Sequence, residues 1–145
     1  MTDSEDLIVS NDFAKSELFK TLKPRFYIIA DPAYFREQNP IDILDRVNDV
    51  KEGLTNSDWE IDLFVPFKYY KSAVKVFKTR NINVYGFNHL PFKGFKWSEN
   101  YVFSKGLCMP KVQNVLIAAL ILAINSSYSK VYLLGVEHNW MRFML

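Results

Sequence analysis

Arg25-Phe26-Tyr27-Ile28-Ile29-Ala30-Asp31-Pro32 is the stretch on which the fold turns. From Phe26 to Ala30 every position is apolar. A strand with one wet face alternates apolar and polar side chains, whereas a strand covered on both faces runs apolar throughout. The stretch therefore predicts a buried strand of a parallel sheet, ended by Asp31-Pro32. On its N-terminal side, Leu7-Ile8-Val9-Ser10 predicts a short buried strand. Ser10, Asn11 and Asp12 are good helix caps. Phe13 to Leu22 reads as a helix with Phe13, Leu18 and Leu22 apolar, stopped by Pro24.

On the C-terminal side the alternation continues. Ile41 to Leu54 is helical, because Ile43, Val47, Val50 and Leu54 recur at helical spacing. Trp59 to Val65 predicts a strand closed by Pro66. Phe67 to Lys78 predicts an amphipathic helix with Phe67, Tyr70, Val74 and Phe77 on one stripe and Lys68, Lys71, Lys75 and Lys78 on another. Asn81 to Phe87 is a fourth strand. Asn88 to Met109 has no steady period, and a long irregular stretch in a compact domain is usually functional or mobile. Pro110 opens a helix from about Lys111 to Asn125, apolar nearly all round and so expected to be buried. Lys130 to Val136 predicts the last strand, with Glu137 and His138 at its C-terminal end. Strands separated by helices imply βαβ units. The expectation is one α/β domain over residues 1–145, Rossmann-like and three-layered, with a mainly parallel sheet of about five strands.

Composition agrees. Of the 145 residues, 49% are hydrophobic and 23% charged, which supplies a core and excludes intrinsic disorder. The lone Cys108 excludes a disulfide scaffold and a multi-thiolate zinc site, and reads as a small buried residue. A formal charge of +2 gives no basis for nucleic-acid binding. The longest apolar run, Val115 to Ile124, has ten residues, and a membrane span needs about 20. The acidic, polar start resembles no signal or transit peptide, so the expected compartment is the cytoplasm.

Ligands of open parallel sheets sit beyond the carboxyl ends of the strands. Four such ends carry polar groups: Ser10-Asn11, Asp31-Pro32, Pro66 with Lys68, and Glu137-His138. The helix after Pro110 adds Gln113 and Asn114 in its first turn, where free backbone N–H groups suit a phosphate. Each of these also reads as an ordinary cap or turn residue. Asp31 and Glu137 have the chemistry of a general acid or base, a ribose ligand or a metal ligand, while Asp-Pro is a common turn opener. His89 lies in the irregular stretch. His138 is a candidate base or ligand contact, with a structural histidine as the plainer alternative. The two histidines and the carboxylates have no tight metal-ligand spacing. The lysine stripe of residues 67–78 reads as a solvated face, and the aromatic cluster from Phe87 to Phe103 as core or lid. Neither a Gly-x-Gly-x-x-Gly nor a Walker lysine loop is present.

Two segments carry a resemblance. One is Ile8-Val9-Ser10-Asn11 leading to Tyr27-Ile28-Ile29-Ala30-Asp31-Pro32. The other is Val112-Gln113-Asn114-Val115 leading to Lys130-Val131-Tyr132-Leu133-Leu134-Gly135-Val136-Glu137-His138. Together they resemble a bacterial superfamily of surface-glycan enzymes. It includes the lipooligosaccharide α-2,3-sialyltransferases and the motility accessory factor group, related to 6-hydroxymethylpterin pyrophosphokinase-like proteins. The resemblance implies a glycosyltransferase-like protein of capsule or lipopolysaccharide synthesis. It would take a CMP-sugar donor and a glycan acceptor, with no cofactor required. Asn11 and Asp31 would contact the donor, and Gln113 and Asn114 would stand where the family carries Ser-Gly. Glu137 would replace the aspartate of Gly-x-Asp, and His138 would be the in-chain base or leaving-phosphate partner.

The family's Gly-x-Gly-Pro-Ser loop and its later catalytic histidine have no counterpart here, so the chain is expected to be a middle portion of a longer enzyme or a shortened relative. Two alternatives stand beside this reading. One is a non-catalytic interaction domain with a vestigial cleft. The other is a magnesium-dependent pterin or nucleotide diphosphotransferase using Asp31 and Glu137. An open sheet edge beside Leu7 to Ser10 would invite pairing with another chain, hence a homodimer or higher form.

Overall fold

A computed structural model describes residues 6–36, 40–110 and 114–134. Four strands form one sheet: β1 (Ile8–Ser10), β2 (Phe26–Ile28), β3 (Ile61–Pro66) and β4 (Ile82–Phe87). They pair in chain order and all are parallel. In register, Val9 lies beside Tyr27, Tyr27 beside Leu63 and Leu63 beside Val84. Between the strands run α1 (Glu17–Leu22), α2 (Ile41–Thr55) and α3 (Tyr70–Phe77), and after β4 come α4 (Lys96–Ser104) and α5 (Val115–Asn125).

Crossovers between parallel strands are right-handed, so strands added one after another in one direction put their helices on one face. That face holds the main core. Phe19 of α1, Val47, Val50 and Leu54 of α2, and Ala73 and Phe77 of α3 pack on Val9, Tyr27, Ile29, Leu63 and Ile82. The spacing of Val47, Val50 and Leu54 read from the sequence is the buried stripe of α2. Gly53 lets α2 approach closely, since a Cβ there would stand 2.8 Å from the Ala14 carbonyl oxygen. The opposite face carries the smaller cluster of Ile28, Phe87, Met109 and Ala118, to which Ile8, Phe64, Ile121 and Leu122 add. The architecture is α/β with helices on both faces of a parallel sheet.

Several expectations need correction. The sheet has four strands among the described residues, not five. Lys130 to Leu134 form no strand, and Val131 to Leu134 are exposed. An apolar run becomes a strand only with a ladder partner, and no described strand lies beside it; Gly135 and Val136 fall outside the described residues. The helix expected from Phe13 to Leu22 is broken at Ser16, which is extended at ψ 142°. A 3-10 turn, Asn11–Lys15, precedes the break. The Ser16 hydroxyl accepts the Leu18 N–H at 3.2 Å, so this residue caps α1 rather than continuing a helix. Phe67–Tyr69 likewise forms a 3-10 turn ahead of α3.

The irregular stretch from Asn88 to Met109 contains α4. Its Trp97 and Tyr101 are exposed, as is Phe95 just before it, so these rings are not core. Cys108 is half-buried. Although α5 is apolar all round, only Ala118 and Ala123 are fully covered, and its last apolar residue, Ile124, is exposed. Among the described residues no helix is long and apolar enough to cross a membrane.

Candidate functional site

The carboxyl edge of the sheet gathers two adjoining sets of residues. The first fastens the loops after β1 and β2. β1 runs straight into Asn11, which adopts φ +48°, in the left-handed region. Below it, the buried Tyr27 side chain accepts the Ala14 N–H at 3.0 Å and donates to the Asn11 carbonyl. The Asn11 side-chain oxygen is buried with no hydrogen-bond partner among the described residues.

Asp31, just past β2, is engaged through both carboxylate oxygens. Oδ1 accepts the Ala33 N–H at 2.9 Å and so caps the 3-10 turn Pro32–Phe35. Oδ2 pairs with Arg46 Nη2 of α2 at 3.0 Å. Arg46 Nη1 lies 3.5 Å from Asp12 Oδ2, and Tyr34 donates to Asp12 Oδ1 at 2.5 Å. The guanidinium also sits over the Tyr34 ring at 5.7 Å. Burial pushes the Tyr34 phenol well above its ordinary value, and its hydrogen bond to Asp12 pushes it further. One arginine on α2 thus joins the aspartates that follow β1 and β2, which holds the two loops in fixed relation.

The second set is open. A depression of about 320 Å³ lies over the ends of β2, β3 and β4, floored by Ala30, Pro32, Pro66 and Phe87. Lys68, Tyr69 and His89 line it as well. Lys68 Nζ sits 5.3 Å from the centre of the Tyr69 ring, and Tyr69 stacks on Phe35 at 4.7 Å and 9°. Lys68 has no ion-pair partner among the described residues, and no carboxylate lines the depression. Chemically the depression offers an ammonium, an imidazole and an aromatic ring with no acid in its lining.

Of the residues singled out in the sequence, Asn11 meets Tyr27 through its backbone carbonyl, and Asp31 pairs with Arg46, which also reaches Asp12 beside Asn11. Asn114 stands at the N-terminus of α5, where its side chain accepts the Ile117 N–H at 3.3 Å and caps the helix. Gln113, Glu137 and His138 lie outside the described residues. Lys68 was picked out as a strand-end residue and lines the depression. His89 was not placed there by sequence reasoning, although it lies two residues beyond the end of β4 and the same strand-end rule applies to it. Tyr69 and Phe35 gave no signal at all, because their stacking joins segments far apart in the chain.

Among the described residues no three His, Cys, Asp or Glu side chains converge as a metal group would require. Magnesium, implied by the diphosphotransferase alternative, calls for carboxylate oxygens free to ligate. Asp31 has one partner on each oxygen, Arg46 and a backbone N–H, and Glu137, the other carboxylate of that alternative, lies outside the described residues. Comparison with protein-family models, with curated proteins and with solved structures finds no match in any of the three.

Proposed function

We propose that the depression at the carboxyl edge binds the phosphate of a nucleotide-type ligand, and that the ligand is the CMP part of a CMP-sugar used in building a bacterial surface glycan. One observation carries the reading. Lys68 and His89 face an acid-free cavity beside the stacked Tyr69 and Phe35, at the edge where parallel sheets hold ligands. The resemblance of Ile8 to Asn11 and Tyr27 to Pro32 to sialyltransferase segments supports cytidine as the nucleoside. The alternative of a non-catalytic interaction domain with a vestigial cleft is supported by the engagement of Asp31, whose carboxylate is taken up by Arg46 and the Ala33 N–H rather than left free for a donor.

The test is a thermal-shift screen with CMP, CDP, UDP, GDP, ATP and a pterin, each with and without magnesium. Ligand binding to the folded state raises the melting temperature by mass action. CMP is expected to raise it without magnesium. Lys68→Ala is expected to weaken CMP by about tenfold or more, the worth of one charge-assisted hydrogen bond. A magnesium-dependent shift with ATP or pterin would replace this reading by the diphosphotransferase one. No shift with any of them would overturn it. Turnover of a CMP-sugar separates transfer from binding alone.

A further inference from the structure

After β4 the chain leaves the sheet and returns at Met109. The Met109 N–H donates to the Leu90 carbonyl at 3.2 Å, Pro91 and Met109 form a bridge, and the Asn88 side chain donates to the Leu107 carbonyl. These contacts close the base of an excursion that contains α4. Its end is well formed. Gly106, at φ +65°, donates to Phe103 at 3.0 Å and Leu107 donates to Val102 at 3.1 Å, the paired bonds of a Schellman cap. The excursion is therefore ordered, yet α4 has no buried residue.

What it shows to water is unusual. Phe95 is 77% exposed, Trp97 75% and Tyr101 61%. Trp97 and Tyr101 are four residues apart and share a helix face. Lys93, Lys96 and Lys105 flank these rings, and none has an ion-pair partner among the described residues. The one acid of the excursion, Glu99, is folded back onto the Gly94 N–H at 3.0 Å. The cores of protein interfaces favour aromatics but are poor in lysine. Aromatic rings interleaved with lysines match the headgroup boundary of an anionic bilayer, where rings enter the interface and ammoniums meet lipid phosphates.

We propose that residues 90–107 dock the protein on the surface of an anionic phospholipid bilayer. Phe95, Trp97 and Tyr101 enter the headgroup region, and Lys93, Lys96 and Lys105 pair with lipid phosphates. The element lies on the membrane and does not span it. Because His89 lines the depression and Leu90 begins the element, docking brings the depression to the bilayer surface. This inference does not depend on which ligand the depression takes.

The experiment is sedimentation of the full chain with vesicles of phosphatidylcholine alone, or of equal parts phosphatidylcholine and phosphatidylglycerol. Binding is expected with the anionic vesicles only, falling as salt is raised. Phe95→Ser with Trp97→Ser is expected to lower partitioning by about tenfold or more. Each lysine changed to serine is expected to lower it about fivefold. None of these side chains is buried, so melting temperatures of the variants should stay near that of the parent. Failure to bind anionic vesicles, or binding indifferent to the Phe95/Trp97 change, would overturn the proposal. So would self-association without vesicles that the same double change abolishes, which would make the surface a protein interface.

Discussion

Tyr27 is fully buried, but its hydroxyl matters as much as its ring. It accepts the Ala14 N–H and donates to the Asn11 carbonyl, bridging a turn 13 to 16 residues away in the chain. Tyr27→Phe keeps the volume and strips both partners. Leaving buried backbone groups unpaired costs about 1–3 kcal/mol, and a loss of that size is expected in urea unfolding. The same residue sets an alkaline limit. Burial raises its phenol pKa above the ordinary 10.0, and Tyr34 is raised likewise. Well below pH 10 both phenols are protonated in either state, and stability is unaffected. As pH approaches and passes 10 the unfolded chain releases protons that the folded chain keeps, so stability falls as pH rises, with a slope that climbs toward about 1.4 kcal/mol per pH unit for each such tyrosine. Denaturant melts between pH 9 and 11 should show this decline, shallower in Tyr27→Phe by one tyrosine's share. Nothing in the local pattern announces this role, because the apolar run of β2 marks Tyr27 only as core.

The same residue type can cap an element or contact a ligand, and Asn114 is the case in point. Its side chain caps α5. Asn114→Ala is expected to lower stability by about 1 kcal/mol, while Asn114→Asp should hold or raise it, since a carboxylate accepts the same N–H and is favoured at a helix N-terminus. Comparative thermal melts of the two variants decide this. Elements whose burial follows their sequence period were legible: β1 and β2 as apolar runs, β3 and β4 as strands in which apolar residues alternate with others, and α2 through Val47, Val50 and Leu54. Elements whose form depends on something outside the window were not. Ser16 breaks a helix through one side-chain bond, and α4 hid because its rings point to water and leave no inward stripe. Val131 to Leu134 read as a strand although no described strand lies beside it. The site divides the same way. Strand ends pointed to Asp31 and Lys68, whereas the Arg46 clamp and the Phe35–Tyr69 stack are long-range contacts that no local pattern encodes.

At the scale of the whole molecule, the two faces of the sheet are unequally covered. Three helices close the first face, and Val9, Tyr27, Ile61, Leu63, Val65 and Ile82 of the strands are buried there. On the second face α5 covers Ile28 and Phe87, while Phe26, Phe64 and Tyr85 form an aromatic row across three strands with Tyr85 exposed. Adjacent residues of a strand point to opposite faces, so β3 samples both environments at Leu63 and Phe64. Leu63→Ala removes a fully buried side chain from the first face and is expected to cost about 2–5 kcal/mol. Phe64→Ala deletes a larger side chain, and a fully buried phenylalanine would cost about 3–5 kcal/mol. Phe64 is only half-buried and its stacking partner Tyr85 is exposed, so its deletion should cost less than that of Leu63. Equilibrium urea unfolding of both variants gives the order. A larger loss at Phe64 would mean that the second face is as closed in solution as the first, and the picture of one sealed and one open face would have to be abandoned.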